Sequence, residues 1–155
     1  MGLIYLALYK GEGDWTDRLI RRWTGSPYSH CELVMQDGRW LTSSGRDGGV
    51  RAKRIELDLE HWDLLPLPWA NATQIEAFFQ RTEGLQYDWT GLLLSQLLAT
   101  AMHSARRWFC SEFCAAALGF AMPQRFSPAL LGEVVRAINT INQTNILGQR
   151  NEAHA

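Results

Sequence analysis

Residues 26–44 read SPYSHCELVMQDGRWLTSS, two strand-like runs on either side of Gln36-Asp37-Gly38. Asp-Gly between such runs is a strong hairpin signal, so the stretch predicts two antiparallel strands, the first headed by His30. A two-residue turn at Asp37-Gly38 would set Ser43 across from Glu32. Successive strand side chains point to opposite faces. His30, Glu32 and Ser43 then share one face, and Cys31, Leu33 and Met35 form a core strip on the other. The histidine face carries an acid and a hydroxyl, and either could orient an imidazole.

Outward from the hairpin, GLIYLALY (2–9) reads as a buried strand ending in a KGEGD turn. DWTDRLIRRWT (14–24) puts Trp15, Leu19, Ile20 and Trp23 on one helical face, with Arg18, Arg21 and Arg22 elsewhere. Gly25 ends that helix. Such a helix can lie on a membrane, but packing its apolar face on the core is the commoner use and is the expectation here. GVRAKRIEL (49–57) and WDLLPLP (62–68) follow as strands, joined to the hairpin by SGRDGG. Asn71 or Thr73 caps a helix running through Phe79 and Arg81. Tyr87-Asp88-Trp89 introduces an apolar helix, GLLLSQLLATAM (91–102), too short to span a bilayer. A further helix runs from Ser111 to Leu118 with Gly119 as its stop, and Ser127-Pro128 opens the last one. This order argues for an α+β fold with a central antiparallel sheet packed by helices. A single domain is expected over residues 1–142, followed by a polar, flexible tail over 143–155.

At 155 residues the chain can bury roughly two thirds of its unfolded surface. A net charge of -1 gives no reason to expect nucleic acid as a partner. The cations are thirteen arginines against only Lys10 and Lys53, a bias that suits planar carboxylate or phosphate recognition. The amino terminus carries neither a basic n-region nor a small-residue cleavage site. The expectation is a soluble protein made in the cytoplasm, with no signal peptide and no integral membrane segment.

Three cysteines, at 31, 110 and 114, cannot complete a disulfide set, which favours thiol chemistry. Cys31 points away from His30 and reads as core. Cys110 stands in ARRWFCSEFCAAALGF, where an extended segment becomes a helix. A helix amino end lowers a thiol pKa, and the backbone N–H groups of Cys110 and Ser111 could hold an oxyanion. Cys114 lies inside the helix without that help. Cys110 is therefore the better nucleophile, with a buried structural thiol as the bland alternative. A zinc site is disfavoured: C-x3-C is not a knuckle spacing, and no second cysteine pair exists. Neither metal nor cofactor is expected.

With His30 heading "YSHCELV", then "YDW" before an apolar helix and "FCSEF" opening another, the chain resembles the circularly permuted NlpC/P60 branch of papain-like cysteine hydrolases. The resemblance spans roughly residues 3–120. It implies a papain-like fold, with Cys110 as nucleophile, His30 as base and Glu32 as the orienting third residue. In ordinary members the third polar residue sits on the next strand, near Ser43 here, so both stay open. The activity implied is cleavage of amide bonds in peptidoglycan-type peptides, which would require delivery to the cell envelope. The alternatives are a thiol acyltransferase or lipid ester or amide hydrolase, and a catalytically silent binding domain. The partner expected is a small peptide or acyl substrate. Tyr87 and Trp108 are candidate cleft walls beside the motifs, and Arg106-Arg107 a candidate anion contact.

Overall fold

A computed structural model describes residues 2–87 and 107–152. The strands are β1 (Tyr5–Tyr9), β2 (His30–Val34), β3 (Trp40–Ser44), β4 (Gly49–Lys53), β5 (Trp62–Pro66), β6 (Gln86–Tyr87) and β7 (Arg107–Trp108). They form one sheet in the order β5-β1-β2-β3-β4-β6-β7, antiparallel throughout except for the parallel β6–β7 pair. The helices are α1 (Trp15–Thr24), α2 (Ala72–Thr82), α3 (Cys110–Ala117) and α4 (Pro128–Glu152), with a 3-10 turn at Pro123–Arg125. The fold is α+β, as the order of elements predicted. The expected helix over 91–102 lies outside the described residues.

The main core lies between the sheet and α2, α3 and α4, where Leu6, Leu8, Cys31, Leu33 and Leu41 meet Phe79, Phe113 and Leu131. Burying a side chain such as Phe113 contributes roughly 1.5–3 kcal/mol. Helix α3 is buried almost all round, and its alanines let it lie close on β2 and β3. Its start is anchored twice. Glu112 accepts from the Phe109 N–H at 3.4 Å, one half of a capping box, and Ser111 Oγ donates to the Phe126 carbonyl at 2.5 Å. The other sheet face carries a smaller cluster of Ala7, Trp40 and Trp62, with Tyr9, Val34, Ile55 and Leu64 packed against it.

The hairpin turns through three residues rather than two. The Met35 N–H donates to the Arg39 carbonyl at 2.7 Å, the Gly38 N–H to the Met35 carbonyl at 3.0 Å, and Gly38 has φ +83°. A left-handed glycine closing a three-residue loop is the next commonest hairpin solution. It pairs Leu33 with Leu41 and Val34 with Trp40, one residue away from the register that a two-residue turn would set. A one-residue slip moves a side chain to the other face. Ser43 is therefore not on the His30 face.

One more expectation is corrected, and two features were not foreseen. Helix α1 ends at Gly25 as read, and Asp14 caps its start, but it does not bury its apolar face: Trp15 is 74% exposed, Leu19 46% and Trp23 50%. Its one buried residue is Asp17. The stretch expected as a flexible tail from Gln143 is helical to Glu152, continuing α4. The polar residues there lie on a helix already under way at Pro128, where propagation costs less than nucleation. Strands β6 and β7 were not expected, because two residues carry no readable periodicity. Near its middle, α4 reaches the free side of β5: Asn139 Nδ2 donates to the Pro66 carbonyl at 2.8 Å and its Oδ1 accepts from Trp69 Nε1 at 3.0 Å.

Candidate active site

His30 opens β2 and Cys110 opens α3, so the site forms where the first residue of a central strand meets the first turn of the helix packed on it. His30 Nε2 lies 3.2 Å from Glu32 Oε1, two residues along the same face. The Cys110 side chain is the second hydrogen-bond partner of the imidazole. The Trp62 ring stands edge-on to the imidazole at 6.3 Å between centroids and limits its rotation.

Glu32 is 2% exposed and is held from behind by Arg51, whose two terminal nitrogens donate to the two carboxylate oxygens at 2.7 and 2.8 Å. Arg51 also donates through Nε to Asp47 at 2.7 Å and through Nη1 to the Trp40 carbonyl at 3.2 Å. Asp47 in turn takes Lys53. A bidentate guanidinium–carboxylate pair is among the stronger charge-assisted contacts and fixes the carboxylate plane. Burial would raise the Glu32 pKa, but hydrogen bonds and charge from His30 and Arg51 outweigh it and hold the carboxyl below its usual range.

Burial alone would drive the His30 pKa down. The charge and hydrogen bond of Cys110, followed by those of Glu32, reverse that and raise it to about 10. The Cys110 thiol is pulled well below its ordinary value. The largest cause is a hydrogen bond from the Cys31 thiol; burial opposes it, and the charge and hydrogen bond of His30 and the Cys31 backbone N–H add to it. Cys31 itself is raised by burial and by the sulfurs beside it. Both shifts favour a thiolate beside an imidazolium, the arrangement that makes a thiol nucleophilic at neutral pH. The amides of Cys110 and Ser111 stand in the first turn of α3, where a helix leaves its N–H groups without intrahelical partners.

A cleft of about 320 Å³ opens onto His30 and Glu32. Tyr9, Ile55 and Trp62 supply apolar wall; Asp17, Arg46 and Lys53 supply charge. Arg46 is paired with Asp14 at 3.4 Å and with Asp17. Ser29, 1% exposed, also lines the cleft, and its hydroxyl has no partner among the described residues. Cys110 is 2% exposed and sits behind His30 rather than on the cleft wall.

Of the residues singled out from sequence, the fold brings together His30, Glu32 and Cys110, and Tyr87 lines the cleft. It does not bring in Ser43. The Ser43 hydroxyl donates to the Trp108 carbonyl at 2.5 Å on the helix side of the sheet. Trp108 is core, edge-on to Phe78 at 5.3 Å, and not a cleft wall. Cys31 packs under the helices as expected, where its carbonyl accepts from Thr42 Oγ1 at 2.8 Å, but it also touches Cys110. Cys114 Sγ lies 3.7 Å from the Cys31 carbonyl. Arg106, and the side chain of Arg107, lie outside the described residues. Sequence reasoning missed Arg51, Asp47 and Ser29. Arg51 had one usable signal, a lone arginine inside a strand pairing with β3, where it lies opposite Thr42. Among the described residues no group of acids, histidines and cysteines is arranged to hold a metal ion, and no helix is long and apolar enough to cross a membrane. No family model and no curated protein matches the chain.

Proposed function

We propose that the protein is a papain-like cysteine hydrolase of amide bonds, with Cys110 as nucleophile, His30 as its acid–base partner and Glu32 as the residue that orients the imidazole. The observation that carries this reading is the meeting of a helix-starting cysteine with a histidine whose other ring nitrogen is already held by a buried carboxylate. A structural thiol needs neither partner.

The proton has moved before substrate arrives. The Cys110 thiolate attacks the carbonyl carbon, and the oxyanion that forms lies toward the first-turn amides of α3. The C–N bond breaks as the His30 imidazolium gives its proton to the leaving nitrogen. Water then attacks the thioester while His30 takes its proton, the carboxylic acid leaves, and the thiolate–imidazolium pair returns. Glu32 keeps the ring in place through both steps and Arg51 keeps Glu32 in place.

The resemblance to the permuted NlpC/P60 branch suggests peptidoglycan-type peptides as substrates. The polar lining of the cleft supports a peptide over an acyl chain, because Asp14, Asp17, Arg46, Asp47 and Lys53 break up the apolar wall that an acyl chain would need. Stem peptides incubated with the protein and resolved by mass spectrometry test the substrate. Thiol mapping tests the chemistry apart from it. Iodoacetamide near pH 6 should label Cys110 while Cys31 and Cys114 stay unmodified. Equal labelling of all three, and only at alkaline pH, would favour a silent binding domain of the same fold.

A further inference from the structure

Helix α1 has two unlike sides. Thr16, Asp17 and Ile20 line the cleft, while Trp15, Leu19 and Trp23 point outward at 74%, 46% and 50% exposure. Spaced four apart, the outer three form one stripe along the helix. Arg18 and Arg22 run beside it, both exposed, and neither has an ion-pair partner among the described residues. The other charges of this helix are already used. Asp17 is taken by Arg46, and Arg21 donates to the Gly11 and Glu12 carbonyls.

We infer that this outer face docks on an anionic lipid bilayer. Tryptophan is the side chain best suited to the headgroup level, with an apolar body and one N–H to leave in the wet layer. Arginine stems lie along apolar surface while their heads reach phosphate. A stripe of two tryptophans and a leucine with a row of free guanidiniums is the pattern of a helix lying in the interface plane. A second copy of the chain is a poorer occupant, because three side chains fall far short of the roughly 20–30 residues a stable protein interface uses on each side. Docked this way, the cleft stands one helix diameter, roughly 10 Å, from the headgroups. The inference goes beyond the proposed hydrolase and does not depend on it.

The test is sedimentation of the full chain with vesicles of phosphatidylcholine alone and of phosphatidylcholine mixed with phosphatidylglycerol. The protein should pellet with the mixed vesicles and stay in solution with the neutral ones, and added salt should release it. Trp15→Ala with Trp23→Ala should lower the partition at least about tenfold, from the apolar area lost. Arg18→Gln and Arg22→Gln should each lower it about fivefold. Far-UV circular dichroism should be unchanged in every variant, since all four side chains are exposed. Failure to pellet with anionic vesicles overturns the inference. So does pelleting that survives the double tryptophan substitution, or equal binding to neutral vesicles. A concentration-dependent dimer lost in that variant, with no vesicle binding, assigns the face to a second copy instead.

Discussion

Glu32 and Arg51 meet through two hydrogen bonds of 2.7 and 2.8 Å across the face of the sheet, and the same carboxylate stands 3.2 Å from the His30 ring. Orientation of the imidazole thus depends on strand β4 as much as on the strand that bears it. An acceptor on the second ring nitrogen fixes tautomer and ring plane, and a charged acceptor also stabilises the imidazolium.

Glu32→Gln should lower kcat by roughly ten- to a thousandfold, less than the ~10⁴ known for a triad acid, because Trp62 still restrains the ring. Ser43→Ala should leave kcat within about threefold and cost about 1 kcal/mol of stability, the worth of one buried hydroxyl hydrogen bond. Steady-state kinetics with a urea melt of each variant separates them. A larger kcat loss in Ser43→Ala would remove Glu32 from its assigned role.

Arg51→Met keeps most of the stem and removes the fork. It leaves the Glu32 carboxylate buried without its guanidinium, so stability should fall by about 3 kcal/mol, as when one partner of a buried pair is deleted. The loss should shrink in acid, where Glu32 can take a proton. Urea midpoints across pH would show a flat penalty if the pair were unimportant.

Cys110→Ala should abolish turnover without unfolding the chain. Cys114→Ala should keep activity and cost about 1 kcal/mol or less. Cys31→Ala removes the thiol that donates to Cys110, so the acid limb of kcat/KM should move to higher pH while the plateau persists. An unmoved acid limb would mean that Cys31 plays no part in holding the thiolate.

The pH profile has a fixed sign. His30 is raised from 6.5 to about 10, so the stability it draws from its partners is complete below pH 6.5 and lost as pH rises through about 10. Cys110 is depressed, so its contribution is lost as pH falls through the lowered value. Activity should hold across neutral pH and fall with an apparent pKa of about 10, a value belonging to the pair rather than to one residue. Glu32→Gln should bring that limb down. An alkaline limb near 6.5 in the wild-type chain would contradict the ion pair.

The hairpin, the histidine strand and the nucleophile helix were legible because each has a local cause: Asp-Gly, alternation, and a cysteine ahead of an alanine run. The register was not, since Gln36-Asp37-Gly38 supports a two-residue or a three-residue loop and only tertiary packing selects the second. That single choice moved Ser43 to the far face. Arg51 was hidden for a related reason, because its partner Glu32 lies two strands away in the sheet. In α1 the periodicity was read correctly and its use was not. A moment shows that a helix has two faces, not which one the rest of the chain will cover.

The contact of Asn139 with Pro66 bears on how the protein avoids polymerising. Strand β5 ends the sheet, and an uncovered edge strand is a template for pairing with another molecule. Proline at position 66 offers no N–H, and Asn139 of α4 occupies its carbonyl. The long helix therefore acts as a guard on the sheet margin, and cutting it short just before Asn139 would leave a sticky border while Leu131 and Val135 stay packed in the core. In such a truncated chain, fibres or β-rich aggregates would be expected before any loss of the helix–strand contact that carries the chemistry.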